Sequence, residues 1–310
     1  MGASAVRRRS RRRRRGRPAF LRGRRNRPLN GPALARSELI GADEPPPFEL
    51  IEGERGTRVI FVCDHASNRF PAALGRLGID DRYLDDHIAW DIGAGAVTLA
   101  LRERFAADAV LASYSRLVID LNRRPGDATV IPPISDGVLI PGNLGLTQAE
   151  RDARGLAFHA PYHDAIEAQI ERRSASGGLP VFIGVHSFTP RFHGTPRPWH
   201  AGVLWDRDPR VAVPLLAALR ADGAFVIGDN EPYSGRHTAD YSIDVHAETK
   251  GLAHVGIELR QDLIADAAGQ QRWAGILGDV LERILADDSI YAPLSAVNPI
   301  TAGNRKETAG

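Results

Sequence analysis

The chain has 310 residues, 43% of them hydrophobic, enough for one large α/β domain with extensions, and no run approaches the roughly 18–20 apolar residues of a membrane-spanning helix. Its single cysteine, Cys63, excludes an intrachain disulfide and a cysteine-built zinc site, and fits a reducing, cytoplasmic setting. The net charge of +2 conceals an asymmetry: residues 1–40 hold 14 Arg against one acidic residue, which leaves the other 270 residues at −11.

Residues 1–46 contain Arg7–Arg9, Arg11–Arg15 and scattered Gly and Pro. Such a block repels itself, buries no apolar surface and is expected to form a disordered Arg-rich tail. It could neutralise the phosphates of a nucleic acid or another polyanion, although no aromatic residues alternate with the arginines. An export signal is disfavoured because no apolar segment follows the paired arginines, and a downstream start of translation would remove the block entirely. Pro45–Pro47 form a stiff boundary. A folded domain is expected over 47–290, followed by a loose extension over 291–310.

Within that domain strands and helices alternate. Residues 58–63 read as a buried strand, Asp91–Phe105 as an amphipathic helix, and 109–121 as one or two short strands ending at Asp120. The Gly, Pro and Asn of 125–146 suggest a long loop over the site. Thr147 and Glu150 form a capping box, and Pro161 should interrupt the helix that follows, a second one running to about Arg173. Strands are expected at 180–186, 201–206, 224–228 and 254–260, with helices at 209–221 and 270–285 and a polar loop over 228–241. This alternation argues for a mainly parallel sheet covered on both faces, a three-layer α/β/α domain.

Three apolar runs lead into polar residues. VIFVC (59–63) opens into Asp64, His65, Ser67 and Asn68; VFIGV (181–185) closes on His186 and Ser187; VGI (255–257) leads to Glu258. Open α/β sheets place ligands at the C-terminal ends of their strands. A catalytic zinc takes three His or carboxylate ligands and keeps one position for water, so His65 and His186 are candidate ligands. Each could equally be a structural histidine. Glu258 emerges from a buried strand, where an unpartnered carboxylate is costly, and is the candidate general base; a salt bridge to Arg260 is the alternative. Arg123 suits bidentate recognition of a carboxylate, so it is a candidate anchor for an acidic substrate. Tyr233 could close a substrate loop, Arg116 could assist substrate or oxyanion binding, and His163 could line the pocket. A helical metal pair of His159 and His163 is rejected because Pro161 lies between them.

These stretches resemble the N-formylglutamate amidohydrolase family, zinc-dependent hydrolases distantly related in fold to zinc carboxypeptidases and aspartoacylases. The matching segments are CDHASNRFP (63–71), AWDIGA (89–94), SRLVIDLNRRPGD (115–127), PYH (161–163), VHSFTP (185–190), DNEPYSG (229–235) and VGIELRQDLI (255–264), in order over about 200 residues. The resemblance implies a phosphorylase/hydrolase-like fold with a mainly parallel, mixed sheet. It implies Zn2+ on His65 and His186, Glu258 as general base, and Asn122 with Arg123 gripping a substrate carboxylate. Carboxypeptidases carry His-x-x-Glu at the first site, whereas position 68 here is Asn. Asp91 is therefore the expected third ligand, with Asp64 next and Asn68 the poorest. The implied reaction is hydrolysis of a small N-acylated acidic amino acid, N-formyl-L-glutamate to glutamate and formate. A related zinc deacylase or carboxypeptidase, or an inactive polyanion-binding protein using its Arg-rich tail, are the alternatives.

Overall fold

A computed structural model describes residues 39–294 apart from 176, 222 and 237–239. In chain order the elements are β1 (Phe48–Ile51), β2 (Val59–Cys63), α1 (Ala94–Arg104), β3 (Asp108–Ala112), the hairpin β4 and β5 (Ile134–Ser135, Val138–Leu139), α2 (Gln148–Arg154) and α3 (Ala160–Ser174). There follow β6 (Val181–Phe188), the hairpin β7 and β8 (Arg191–Phe192, Thr195–Pro196), β9 (Ala201–Leu204), α4 (Pro209–Arg220), β10 (Ile227–Asp229), α5 (Tyr241–His246), β11 (His254–Arg260) and α6 (Ala267–Leu285).

Seven strands form one mixed sheet in the order β1-β3-β2-β6-β11-β9-β10. The β3–β2, β2–β6, β6–β11 and β9–β10 pairs are parallel, while β1–β3 and β11–β9 are antiparallel. Alternation along β2 explains the layers. Phe61 and Cys63 join Val97, Leu101, Leu215 and Leu277 under α1, α4 and α6. Ile60 and Val62 face the other way, into Phe158, Tyr162, Ile166 and Ile243 beneath α3 and α5. The α/β/α sandwich read from the sequence is thus the observed architecture. Among the described residues no helix is long and apolar enough to cross a membrane.

Several boundaries differ from the sequence reading. The run 109–121 is a strand only to Ala112; beyond it the buried amides of Ser115, Val118 and Asp120 bond to Arg69, Ser115 and Val130 carbonyls in turns rather than a ladder. Helix α1 begins at Ala94, not Asp91, because Gly93 is left-handed (φ 81°) and a Cβ there would lie 2.2 Å from the Ile264 carbonyl. The Thr147–Glu150 capping box is present. As read from the sequence, a second helix begins beside Pro161. A π-turn over Gly155–His159 carries the chain from α2 into α3, where Pro161 sits in the first turn and its missing N–H costs little. Strand β6 runs on to Phe188, and α5 and β1 are additional elements. Residues 1–38 of the expected tail and 295–310 of the expected extension lie outside the described residues. Within 39–46, Ile40 is buried and the Tyr114 hydroxyl donates to the Pro45 carbonyl.

Candidate active site

His65 lies two residues past β2, and its carbonyl accepts the Asp91 N–H at 3.0 Å, joining the two segments. His186 is within β6, register-paired with Glu258 on β11, so the two side chains stand side by side on one face of the sheet. Asp91 opens the turn, closed by the Ala94 N–H on its carbonyl, that Gly93 holds against Ile264. Three buried side chains consequently converge. Asp91 Oδ2 is 3.3 Å from His65 Nδ1 and 2.9 Å from His186 Nδ1, and one donor atom from each residue lies within 4.8 Å of the other two.

The opposite ring nitrogens face carboxylates. His65 Nε2 is 2.7 Å from Asp120 Oδ1, and His186 Nε2 is 3.4 Å from Asp64 Oδ2. An outer carboxylate of this kind fixes a ligating histidine's orientation and raises its basicity. Asp64 is itself held by the hydroxyls of Tyr162 (2.6 Å) and Ser242 (2.8 Å). Two imidazoles and one carboxylate with inward donors, backed by acids, fit a zinc-type ion.

Charge points the same way. Asp64, Asp91, Asp120 and Glu258 are all buried, and Arg116, about a quarter exposed, pairs with Asp120 at 2.7 Å and Asp91 at 3.4 Å. Burial works to raise the Asp91 carboxyl, but His65 and His186 outweigh it and hold it well below the usual carboxylate range. Burial opposes a charge on His186, yet Asp64 and Asp91 raise it well above an ordinary histidine. For Glu258 burial wins, and its carboxyl is pushed up to about 8, with Asp91 and Asp240 adding to the push against His186. Glu258 Oε2 is buried with no hydrogen-bond partner among the described residues.

The other expected residues fall around this centre. Asp64 is on the far side of His186 rather than among the inward donors, and Asn68 turns away to donate to the Leu84 carbonyl and the Asp85 carboxylate. Asn122 is buried, its N–H on Asp120 (2.9 Å) and its Oδ1 accepting from the Ser242 N–H (3.0 Å). Half-buried Arg123 donates to the Asn122 carbonyl at 2.9 Å. Arg116 is engaged by the two carboxylates just named. Tyr233 is 45% exposed at the rim and accepts from Arg197 at 3.2 Å; burial and Glu258 raise its hydroxyl pKa. Arg260 pairs with Asp262, so Glu258 is not its partner. The nitrogens of His159 and His163 that bond backbone carbonyls do not face a common ion. Sequence reasoning missed Asp120, Tyr162 and Ser242 as supports, although Asp120 stood out as an acid ending an apolar run.

The model of the family described as N-formylglutamate amidohydrolase matches residues 57–265. A solved gene product of Agrobacterium tumefaciens is 37% identical, covering 80% of this chain and 98% of its own, with a TM-score of 0.77. An N-formylglutamate amidohydrolase from Ralstonia eutropha shares the fold at 18% identity, covering 77% and 98%, with a TM-score of 0.58. No curated protein matches the chain. Because the family model spans well over half the chain and takes in His65, Asp91, His186 and Glu258 in order, this amidohydrolase belongs to the N-formylglutamate amidohydrolase family.

Proposed function

We propose that the protein hydrolyses the amide bond of a small N-acylated acidic amino acid, N-formyl-L-glutamate in the first instance, with zinc held by His65, Asp91 and His186. The observation that carries this reading is the meeting of His65 Nδ1, Asp91 Oδ2 and His186 Nδ1 beside a buried, unpartnered Glu258 oxygen. Bound there, the ion would supply Lewis acidity to the acyl carbonyl and the attacking water.

The protein's own residues do the rest. Glu258 takes a proton from the attacking water and delivers it to the departing amine nitrogen, so that the C–N bond breaks as a free amine and a carboxylic acid form. Burial lifts the carboxyl to about 8, which suits delivery of a proton to the amine, and leaves Oε2 without a competing partner; a cation on His65, Asp91 and His186 would oppose that lift and let the carboxylate take the water's proton. Asn122 and Arg123 hold the substrate carboxylate, contributing position rather than chemistry. Arg116 balances Asp91 and Asp120 and so keeps the acid-rich pocket folded before an ion enters.

Metal content measured alongside formate release from N-formylglutamate tests the proposal. Glu258→Gln should keep the metal and lose turnover by about 10²–10⁴-fold, the usual worth of a positioned acid–base group. Parental turnover in that variant would remove Glu258 from its role. A panel of N-formyl, N-acetyl and peptide substrates would separate a deformylase from a broader deacylase or a carboxypeptidase.

A further inference from the structure

Beneath the Leu121–Arg123 turn, on the α3–α5 side of the sheet, three histidines and a tyrosine pack together. His159, His163 and His246 are buried. Ring centroids are 4.3 Å apart for His159–His163 and 5.1 Å for His163–His246, the latter pair stacked at 16°. Tyr241 packs against His159 at 5.3 Å and edge-on to His163 at 4.8 Å. Nothing in the proposed chemistry uses this cluster.

Its hydrogen bonds are directed at the turn. His163 Nε2 is 2.9 Å from the Leu121 carbonyl and His159 Nε2 is 3.0 Å from the Arg123 carbonyl, one on each side of Asn122. A carbonyl only accepts, so both histidines carry their hydrogen on Nε2. Burial lowers the pKa of both rings, which keeps each with a single ring hydrogen. His163 Nδ1 is then a bare acceptor, and it lies 2.9 Å from His246 Nε2, which must donate. His246 Nδ1 lies 3.4 Å from Glu167, whose carboxylate bonds Lys250. The same helix closes the arrangement from above: Tyr241 opens α5, and the next residue, Ser242, gives its N–H to Asn122 Oδ1.

We propose that His159 and His163 are positioning residues for substrate recognition: as Nε2–H tautomers they clamp the carbonyls flanking Asn122 and so set the direction in which Asn122 and Arg123 meet the substrate carboxylate. The proposal rests on the reading of Asn122 and Arg123 given above. The clamp suits its place because the turn lies outside any sheet ladder, so its carbonyls need donors from elsewhere, and a rigid aromatic ring holds a donor at fixed reach.

The test compares His159→Phe, His159→Gln and His163→Phe with the parent, all metal-loaded. KM and kcat are read for N-formyl-L-glutamate and for its α-amide, which lacks the α-carboxylate, the one of the substrate's two that this proposal gives to Asn122 and Arg123. The Phe variants keep the ring and lose the donor. They should raise KM for the acid by about ten- to a hundredfold, the worth of a misplaced hydrogen bond to a charged group, with kcat and the α-amide little changed. His159→Gln, which restores a donor, should recover most of the loss. Nitrogen NMR of the parent's imidazoles at neutral pH should show the Nε2–H form for both residues. Equal losses on acid and amide, an unchanged KM in a folded Phe variant, or an Nδ1–H tautomer would each overturn the clamp. If the Phe variants fail to fold, the parent's tautomers and the Gln variant decide it. Inactivity of the parent towards every N-acyl amino acid would instead overturn the functional reading and the substrate role with it; parental activity with unselective variants overturns this inference alone.

Discussion

A carboxylate oxygen buried without a partner costs free energy, and Glu258 Oε2 bears that cost at the edge of the centre. Around it, Asp64, Asp91 and Asp120 add three more buried acids, but His65, His186 and Arg116 balance those, so Glu258 is the acid left for a cation to relieve. The acids are not equivalent. Asp91 faces inward, while Asp120 meets the far nitrogen of His65, at 2.7 Å, Arg116 and the Asn122 N–H. Asp120→Asn keeps the shape but removes the charge that orients and enriches the imidazole, so metal affinity should fall about 10–100-fold in a competition titration with a chelator. Unchanged affinity would reduce Asp120 to a partner of Arg116. His65, His186 and Glu258 could be read from sequence because each is a polar residue attached to an apolar run, a costly pattern that needs a reason. Asp91 was reached through the family resemblance. The roles of Asp64 and Asp120 could not be read, because they depend on which nitrogen of each ring faces inward, and only packing decides that.

At the level of elements, the site is held by two neighbouring strands and the loops that cross their ends. Glu258 pairs with His186 on one side and with Gly202 of β9 on the other. Gly202 in turn pairs with Gly228 of β10, and the Glu231 carbonyl rests over both glycines: an added Cβ would meet it at 2.0 Å from Gly202 and 2.5 Å from Gly228. The loop carrying Tyr233 therefore lies directly on the sheet beside the proposed base. Gly202→Ala should destabilise the fold by about 1–3 kcal/mol in urea unfolding, the range for an overpacked core, and should lower activity by lifting the loop. A fully stable, fully active variant would show that the loop is not held there. Helix α6 was legible because its helical period is strong, and β6 because its apolar run is bounded by Gly177-Gly178 and Pro190. The run over 109–121 misled because continuous apolar sequence signals burial, not extension, and here the burial is of turns. Four-residue β1 and six-residue α5 are too short to carry a period.

Over the whole molecule, the two faces of the sheet divide the labour. The α1–α4–α6 face is almost purely apolar, with Trp273, Leu277, Leu215 and Val97 at its centre. The α3–α5 face carries the polar machinery, including the three packed histidines. Burial lowers the pKa of His159, His163 and His246, that of His163 to about 3, while Asp64 and Glu167 pull the other way on the last two. A histidine whose folded pKa lies below its unfolded value of about 6.5 is neutral in the native state and takes up a proton only on unfolding. Stability from such groups is complete above that unfolded value and is lost as pH falls below it, down to the folded pKa. Their share of the metal-free protein's pH dependence is therefore a slope of falling urea resistance between about pH 7 and about pH 5, opposed by Glu258 and His186, whose folded pKa values are raised. His163→Phe, compared at each pH with the parent, should flatten that slope whatever it does to stability at neutral pH, because one proton-uptake site has gone. Parallel curves for parent and variant would mean that His163 does not change its protonation on unfolding, and that the α3–α5 face tolerates charge in its interior.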